Sequence, residues 1–230
     1  MIKWFIEKIA KYLFKSEEFQ QRFIVMIKED VLSMQVKVEQ ITTWGDVYRE
    51  ALATEGKNSG GVLPNDKWRK KILLAEHSPI RVLEYRFEFS GLPYWSHVHL
   101  VRHKFGVEHF VATQRDDRTA DTIPRGNKPQ STEVQMVMRL NAQAIINISR
   151  RRLCSKASTE TRKAWELAIK KLEVVDPVLA VCCVPECLYR GFCPERKSCG
   201  RTENKLFQLE KLTYREGVNY GWKKNEITNK

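Results

Sequence analysis

IRVLEYRFEF, residues 80 to 89, is the stretch on which the fold turns. Leu83, Tyr85, Phe87 and Phe89 alternate with Glu84, Arg86 and Glu88, the period-two pattern of a strand with one face in a core and the other in water. Gly91 and Pro93 are expected to end it. A second alternating run sets Val134, Met136, Met138 and Leu140 on one face. Upstream, residues 22 to 41 (RFIVMIKEDVLSMQVKVEQI) hold two β-branched clusters that read as strands, the second also open to a helix. Helical spacing marks residues 44 to 54 and 66 to 76, with the breakers of EGKNSGGVLPN between them. Tyr94 to Lys104 reads as a short helix with Arg102, His103 and Lys104 in its last turn, where cations suit the macrodipole. After the second strand, NAQAIINISRRRLC and ASTETRKAWELAIKKLEV predict two helices. The later one is capped by Ser158 and stopped by Asp176 and Pro177. Strands and helices mixed in this order predict an α+β fold.

With 230 residues, 42% hydrophobic and 10% aromatic, the chain has material for one substantial core and one compact unit. Its net charge of +12 draws in polyanions and phosphorylated small molecules without separating nucleic acid from nucleotide. No apolar run reaches the roughly 18 residues that a bilayer span needs, so no membrane crossing is expected. The opening MIKWFIEKIAKYLF threads charges through its apolar residues, an amphipathic pattern expected to pack on its own domain as a helix and unlike an export signal. A cytoplasmic location is therefore expected. DDRTADTIPRGNKPQ, residues 116 to 130, is a polar loop long enough for a binding or lid role. The tail after Gly200 is polar and weakly patterned, so partial order is expected there.

Four blocks carry the chemistry. LVRHKFGVEHFVATQR (100 to 115) supplies fixed cations, and LNAQAIINISRRRLCSKASTETR (140 to 162) sets Asn141 and Arg152 eleven residues apart, three helical turns on one face. AEHSP (75 to 79) precedes the first strand, and VPECLYRGFCPERKSCG gathers cysteines. Together, and in their order along the chain, they resemble the flavin-dependent thymidylate synthase (ThyX) family. Arg102 and His103 match its signature RHRxxSxNExSxRY, with Lys104 for the second Arg. Asn141, Ala142, Arg152, Ala157, Glu160 and Arg162 match its MNARxLxHFxxLRxxxxAQWEIR block without gaps. AEHSP is similar to its GHxSPxEH block. The departures are Val107, His109, Phe110, Ala112 and Gln114 within the signature, and a shortened segment between Arg115 and Asn141. The chain thus reads as a divergent, internally shortened member.

The resemblance implies a single domain with a mixed antiparallel sheet and flanking helices, assembled as a homotetramer. It places that domain at 1–200, with the amphipathic helix at its start and a polar extension at 201–230. It implies FAD, with NADPH and methylenetetrahydrofolate as cosubstrates, and transfer of one carbon to C5 of a pyrimidine nucleotide, dUMP to dTMP. His77, Ser78, Arg102, His103, Lys104, Asn141 and Asn147 would hold the cofactor. His99, Gln114, Arg115 and Arg152 would hold the nucleotide, with Arg152 catalytic. Cys183, Cys187, Cys193 and Cys199 are weak metal candidates, because their spacing of three, five and five is unlike the paired CxxC of ordinary zinc sites. Buried free thiols compete with zinc there. From another class, a nucleic-acid-binding protein that kept the fold and lost the chemistry remains open, as does a zinc-stabilised structural protein.

Overall fold

The computed structural model describes residues 34–119 and 122–223. The N-terminal amphipathic segment and the earlier of the two expected strands lie outside the described residues. Four strands, β1 (Gln35–Gln40), β2 (Glu84–Pro93), β3 (Val107–Val111) and β4 (Glu133–Asn141), form one sheet in the order β1-β2-β4-β3, antiparallel at every pairing. The fold is α+β, with eight helices among the described residues: α1 (Trp44–Ala53), α2 (Asp66–Leu74), α3 (Tyr94–Leu100), α4 (Ala142–Arg152), α5 (Thr159–Val175), α6 (Pro177–Ala180), α7 (Glu186–Arg190) and α8 (Lys205–Lys223).

The period-two reading holds on both central strands. Leu83, Tyr85, Phe87 and Phe89 are fully buried, and across from them Met136, Met138 and Leu140 are buried as well. Helix α5 covers this face, its Trp165 ring lying 5.7 Å from Phe87 and stacked 6.5 Å from Phe89. Burying each such ring contributes about 1.5 to 3 kcal/mol, so this cluster dominates the core. A polar hub lies beside it. Buried Asp176 caps α6 through Leu179 N (3.0 Å) and accepts from Trp44 Nε1 (2.8 Å) and the Tyr85 hydroxyl (2.6 Å), which ties α1 and β2 to the α5–α6 turn.

Two expectations need correction, and two elements carried no clear signal in the sequence. Gly91 does not end β2: the strand runs on through an irregularity between Phe89 and Leu92 and stops, as expected, at Pro93. Helix α3 ends at Leu100, so Arg102 to Lys104 stand in the loop beyond it and not in its last turn. Val107 to Val111, too short to declare a strand in the sequence, pair with β4 as an edge strand, with Val107 turned into the core. In the tail past Gly200, Lys205–Lys223 form α8, which packs on α2 and α7 and buries Phe207. A polar composition hid that anchoring side chain.

Candidate functional site

Strand β4 passes directly into α4, and the joint is built by Asn141. Its side chain accepts from Ala144 N at 2.9 Å, the bond of an N-cap. Its backbone N–H donates to Gly106 O at 3.0 Å. Gly106 has φ +70, and a Cβ there would stand 2.6 Å from Asn141 Nδ2, so only glycine fits this approach. The loop Val101–Gly106 is thereby seated on the start of α4.

From the other end of α4, Arg152 reaches the same loop. Its Nε donates to His103 Nε2 at 2.9 Å and its Nη2 to the His99 carbonyl at 2.5 Å. His103 therefore presents an unprotonated Nε2. Its pKa is pushed down to about 4, first by burial and then by the charge of Arg152 and by His109. His99 is lowered by burial first, then by Arg152 and Arg102, with Glu160 pulling the other way. Arg152 is itself lowered, by burial and then by Arg102. Two guanidinium groups and two neutral imidazoles thus gather in one place, and among the described residues no carboxylate lies within 4 Å of Arg152. A half-buried cation without a counter-ion suits an anionic ligand chemically.

The three consecutive arginines of α4 diverge. Arg150 donates to Glu76 and stacks 3.6 Å over the Tyr189 ring, while Glu76 also accepts from Gln143 at 2.6 Å. Glu76 sits at φ 51, in the left-handed region that a non-glycine residue rarely adopts. Arg151 points to Glu186 (4.0 Å) and Glu195 (3.9 Å). Of the three, Arg152 alone hydrogen-bonds the histidine cluster, though the charge of Arg151 is also felt at His103.

The expected site residues separate accordingly. His99, Arg102, His103 and Arg152 come together; Lys104 is exposed on the same loop. Asn141 and Arg152 do share the α4 face that meets this loop, but the Asn141 carboxamide oxygen is engaged as a cap. Asn147 is exposed and accepts from Arg150 at 3.1 Å, on the other side of the helix. His77 and Ser78 are exposed at the 3-10 turn Ser78–Val82, next to Glu76 and hence on the Arg150 side. Gln114 and Arg115 follow β3, whose end pairs with Met136 while its start pairs with Leu140. The five residues of β3, roughly 13 Å from first to last, lie between them and the cationic loop, and Arg115 is forked onto Asp117 at 2.7 and 2.9 Å. Sequence reasoning missed Glu76, although it stands inside the quoted AEHSP block.

The cysteines also divide differently from the expected set. Cys183 is buried against the Leu179 carbonyl at 3.4 Å, its thiol pushed up by burial. Cys187, Cys193 and Cys199 instead line one cavity with Cys154, at the C-terminal end of α4. Among the described residues, no three His, Cys, Asp or Glu side chains are grouped to hold a metal ion. No helix among them is long and apolar enough to cross a membrane.

No protein-family model matches the chain, and no curated protein matches it. Solved structures do. A flavin-dependent thymidylate synthase ThyX from Helicobacter pylori, complexed with FAD and dUMP, superposes with a TM-score of 0.50 at 14% identity, covering 64% of this chain and 99% of that one. Another structure of Thymidylate Synthase X from Helicobacter pylori with FAD and dUMP gives 0.49 at 16% identity, covering 64% and 99%. A UMP/dUMP methylase, PolB from Streptomyces cacaoi, bound with 5-Br dUMP, gives 0.49 at 12% identity, covering 69% and 96%. At such identities the likeness is one of fold: this chain has a divergent ThyX-like fold.

Proposed function

We propose that the chain is an FAD-dependent enzyme of the thymidylate synthase type, passing a one-carbon unit from methylenetetrahydrofolate to C5 of a pyrimidine nucleotide, with dUMP to dTMP the favoured reaction and NADPH the reductant. The observation that carries this reading is the uncompensated cationic cluster of Arg152 with Arg102, held by His103 and His99, at the place in the chain where the ThyX-like blocks fall.

The residues present fit a flavin nucleotide and a nucleotide phosphate. Arg102 and Lys104 are exposed on a loop that Gly106 and Asn141 hold in place, which presents donors to a phosphate without the cost of ordering them. In this reading they grip the flavin's phosphates, with His77, Ser78, Asn141 and Asn147 supporting from neighbouring surfaces. When bound, FAD supplies the electron chemistry, and the protein's task is to position and polarise. His103 contributes as a neutral acceptor that fixes the Arg152 guanidinium, leaving its Nη1 without a hydrogen bond among the described residues. Arg152 then meets the pyrimidine and stabilises the negative charge that grows on the ring as C5 becomes nucleophilic.

Gln114 and Arg115, remote from Arg152 within one chain, serve the nucleotide only if a neighbouring subunit brings them in. That agrees with the homotetramer the resemblance implies. The test is expression in a thymidine-requiring bacterium, paired with the absorbance of the purified protein. Rescue by a yellow protein supports the reading. A colourless protein that fails to rescue and shifts DNA with a steep salt dependence would replace it with nucleic-acid binding, to which the +12 charge is equally suited.

A further inference from the structure

Phe105 stands in the loop between α3 and β3 with its side chain 92% exposed, more than any other large apolar side chain among the described residues. A lone exposed apolar residue is ordinary on a protein surface, but this one is set apart by its footing and its neighbours. The chain is pinned on both sides of it. His103 N–H donates to Leu100 O at 3.1 Å and the His103 ring takes the Arg152 bond, while Gly106 O accepts from Asn141 N at 3.0 Å. Phe105 is one residue from the second anchor and two from the first, so its Cα lies within about 7 Å of that of His103. Its ring meets no other ring or cation among the described residues, and Arg102 and Lys104, both exposed, find no hydrogen-bond or ion-pair partner there. The charge of Arg102 is felt at Arg152 and at His99, which joins the loop to the half-buried guanidinium in one electropositive site. Unpaired cations suit a phosphate. A flat apolar ring held in water suits a second flat ring, and a Phe side chain turns on only two χ angles, so little entropy is lost in fixing it. Nucleotides, flavin nucleotides included, carry both parts in one molecule.

We infer that Phe105 is the stacking platform of this site, its ring lying on the heteroaromatic ring of a nucleotide whose phosphate is taken by Arg102 and Lys104. Three residue steps separate Arg102 from Phe105, a span of at most about 11 Å, so cation and ring reach one ligand from one loop. The inference rests on the function proposed above and goes beyond it in one respect: a ring, and not charge alone, selects the ligand. A sugar phosphate satisfies the cations and leaves Phe105 in water, whereas a nucleotide covers it. Because the loop is already held by Asn141 and Arg152, the platform is in place before the ligand arrives, and the affinity gained from stacking is not spent on ordering the chain.

The experiment titrates the full chain calorimetrically, at low ionic strength, with FAD, with dUMP and with ribose 5-phosphate, which has the phosphate and no aromatic ring. Phe105→Ala should weaken FAD, dUMP or both by roughly five- to a hundredfold and leave ribose 5-phosphate as in the wild type. The ligand that loses affinity identifies the ring: FAD a flavin or adenine, dUMP a pyrimidine. Phe105→Trp should keep the affinity, and Phe105→Leu, apolar but not flat, should lose it as alanine does. Lys104→Ala should weaken all three ligands. With its side chain 92% exposed, Phe105 is replaced without disturbing the core. Unchanged affinities of Phe105→Ala for both FAD and dUMP overturn the inference and leave the flavin reading standing. A Phe105-dependent affinity for dUMP in a protein that never takes FAD upholds the platform and removes the flavin. Failure of the wild type to bind either overturns both. Full affinity in Phe105→Leu, or a change of oligomeric mass in Phe105→Ala with ligand affinities unchanged, also overturns it, the latter by assigning the ring to a contact with a second copy of the chain.

Discussion

Arg152 donates through Nε to Nε2 of His103, 2.9 Å away and 49 positions earlier in the chain. One protonation state satisfies that bond: an imidazolium at His103 has no lone pair to offer and repels the guanidinium.

Stability should therefore fall in acid through this pair. The folded pKa of His103, about 4, lies below the ordinary 6.5, so the unfolded chain binds the proton first. Stability is fully present above pH 6.5 and is lost as the pH drops toward 4. His97, His99 and His109 are lowered too, so the informative quantity is a difference. His103→Asn offers an acceptor that does not titrate, and its melting temperature should fall less than the wild type's between pH 7 and 4.5. Parallel curves would remove His103 from the pH response.

Arg152→Lys should retain the fold and lose nucleotide binding, because an ammonium does not span His103, the His99 carbonyl and an anion together. A loss of about 1.5 to 3 kcal/mol, roughly ten- to a hundredfold in affinity, is expected from nucleotide titration of flavin absorbance. Arg151→Lys is the control, since its side chain is 56% exposed and its carboxylates lie near 4 Å. Equal losses at both positions would describe a diffuse basic surface.

Arg150 does not serve as a second control. Its side chain is only 13% exposed and locks Glu76 and the Tyr189 ring. Arg150→Ala should cost stability on the order of 2 kcal/mol by leaving the Glu76 carboxylate short of a partner, with nucleotide affinity unchanged in the folded fraction. Urea unfolding reads the first effect. An unaltered midpoint would show the pair to be dispensable.

Arg102→Ala should strip flavin from the purified protein, as it removes an exposed cation next to Arg152. The ratio of flavin to protein absorbance reports it, and an unchanged ratio would move the flavin elsewhere.

Replacing Asp176 with Ala leaves the Trp44 indole N–H, the Tyr85 hydroxyl and the Leu179 N–H without their acceptor in a buried place. A loss of about 3 kcal/mol or more is expected, seen as a lower urea midpoint with no selective change in ligand affinity.

The sheet and its covering helix were legible because alternation is a one-dimensional signal: Tyr85, Phe87 and Phe89 declare their buried face in the sequence itself. Helices α1, α2, α4 and α5 were legible through spacing for the same reason, whereas Ser158, expected to cap α5, makes no side-chain cap bond and pairs its hydroxyl with that of Thr161 at 2.7 Å. Strand β3 was not, since Val107 to Val111 offers five residues in which Phe110, an apolar side chain, faces water. At the site, divergence of the three arginines follows from the 100° helical step. Which of them would find a histidine, a glutamate or an aromatic ring depended on elements remote in the chain. The exchange of Cys183 for Cys154 in the thiol cavity had the same origin: a spacing rule counts neighbours along the chain, while the cavity is closed by the end of α4.

Strand β3 is an edge, hydrogen-bonded to β4 alone in the described sheet, and the loop Arg102–Gly106 leads straight into it. Edge ladders open at lower free energy than central ones, because fewer neighbours hold them. The cationic loop therefore shares the fate of an edge of the sheet, and amide exchange at Val107–Val111 should be far quicker than at Tyr85–Phe89 or Met136–Leu140. An anion clasped between Arg102 and Arg152 would slow exchange along β3 while leaving the central amides as they were, so that hydrogen–deuterium protection maps ligand capture onto a strand that never touches the ligand.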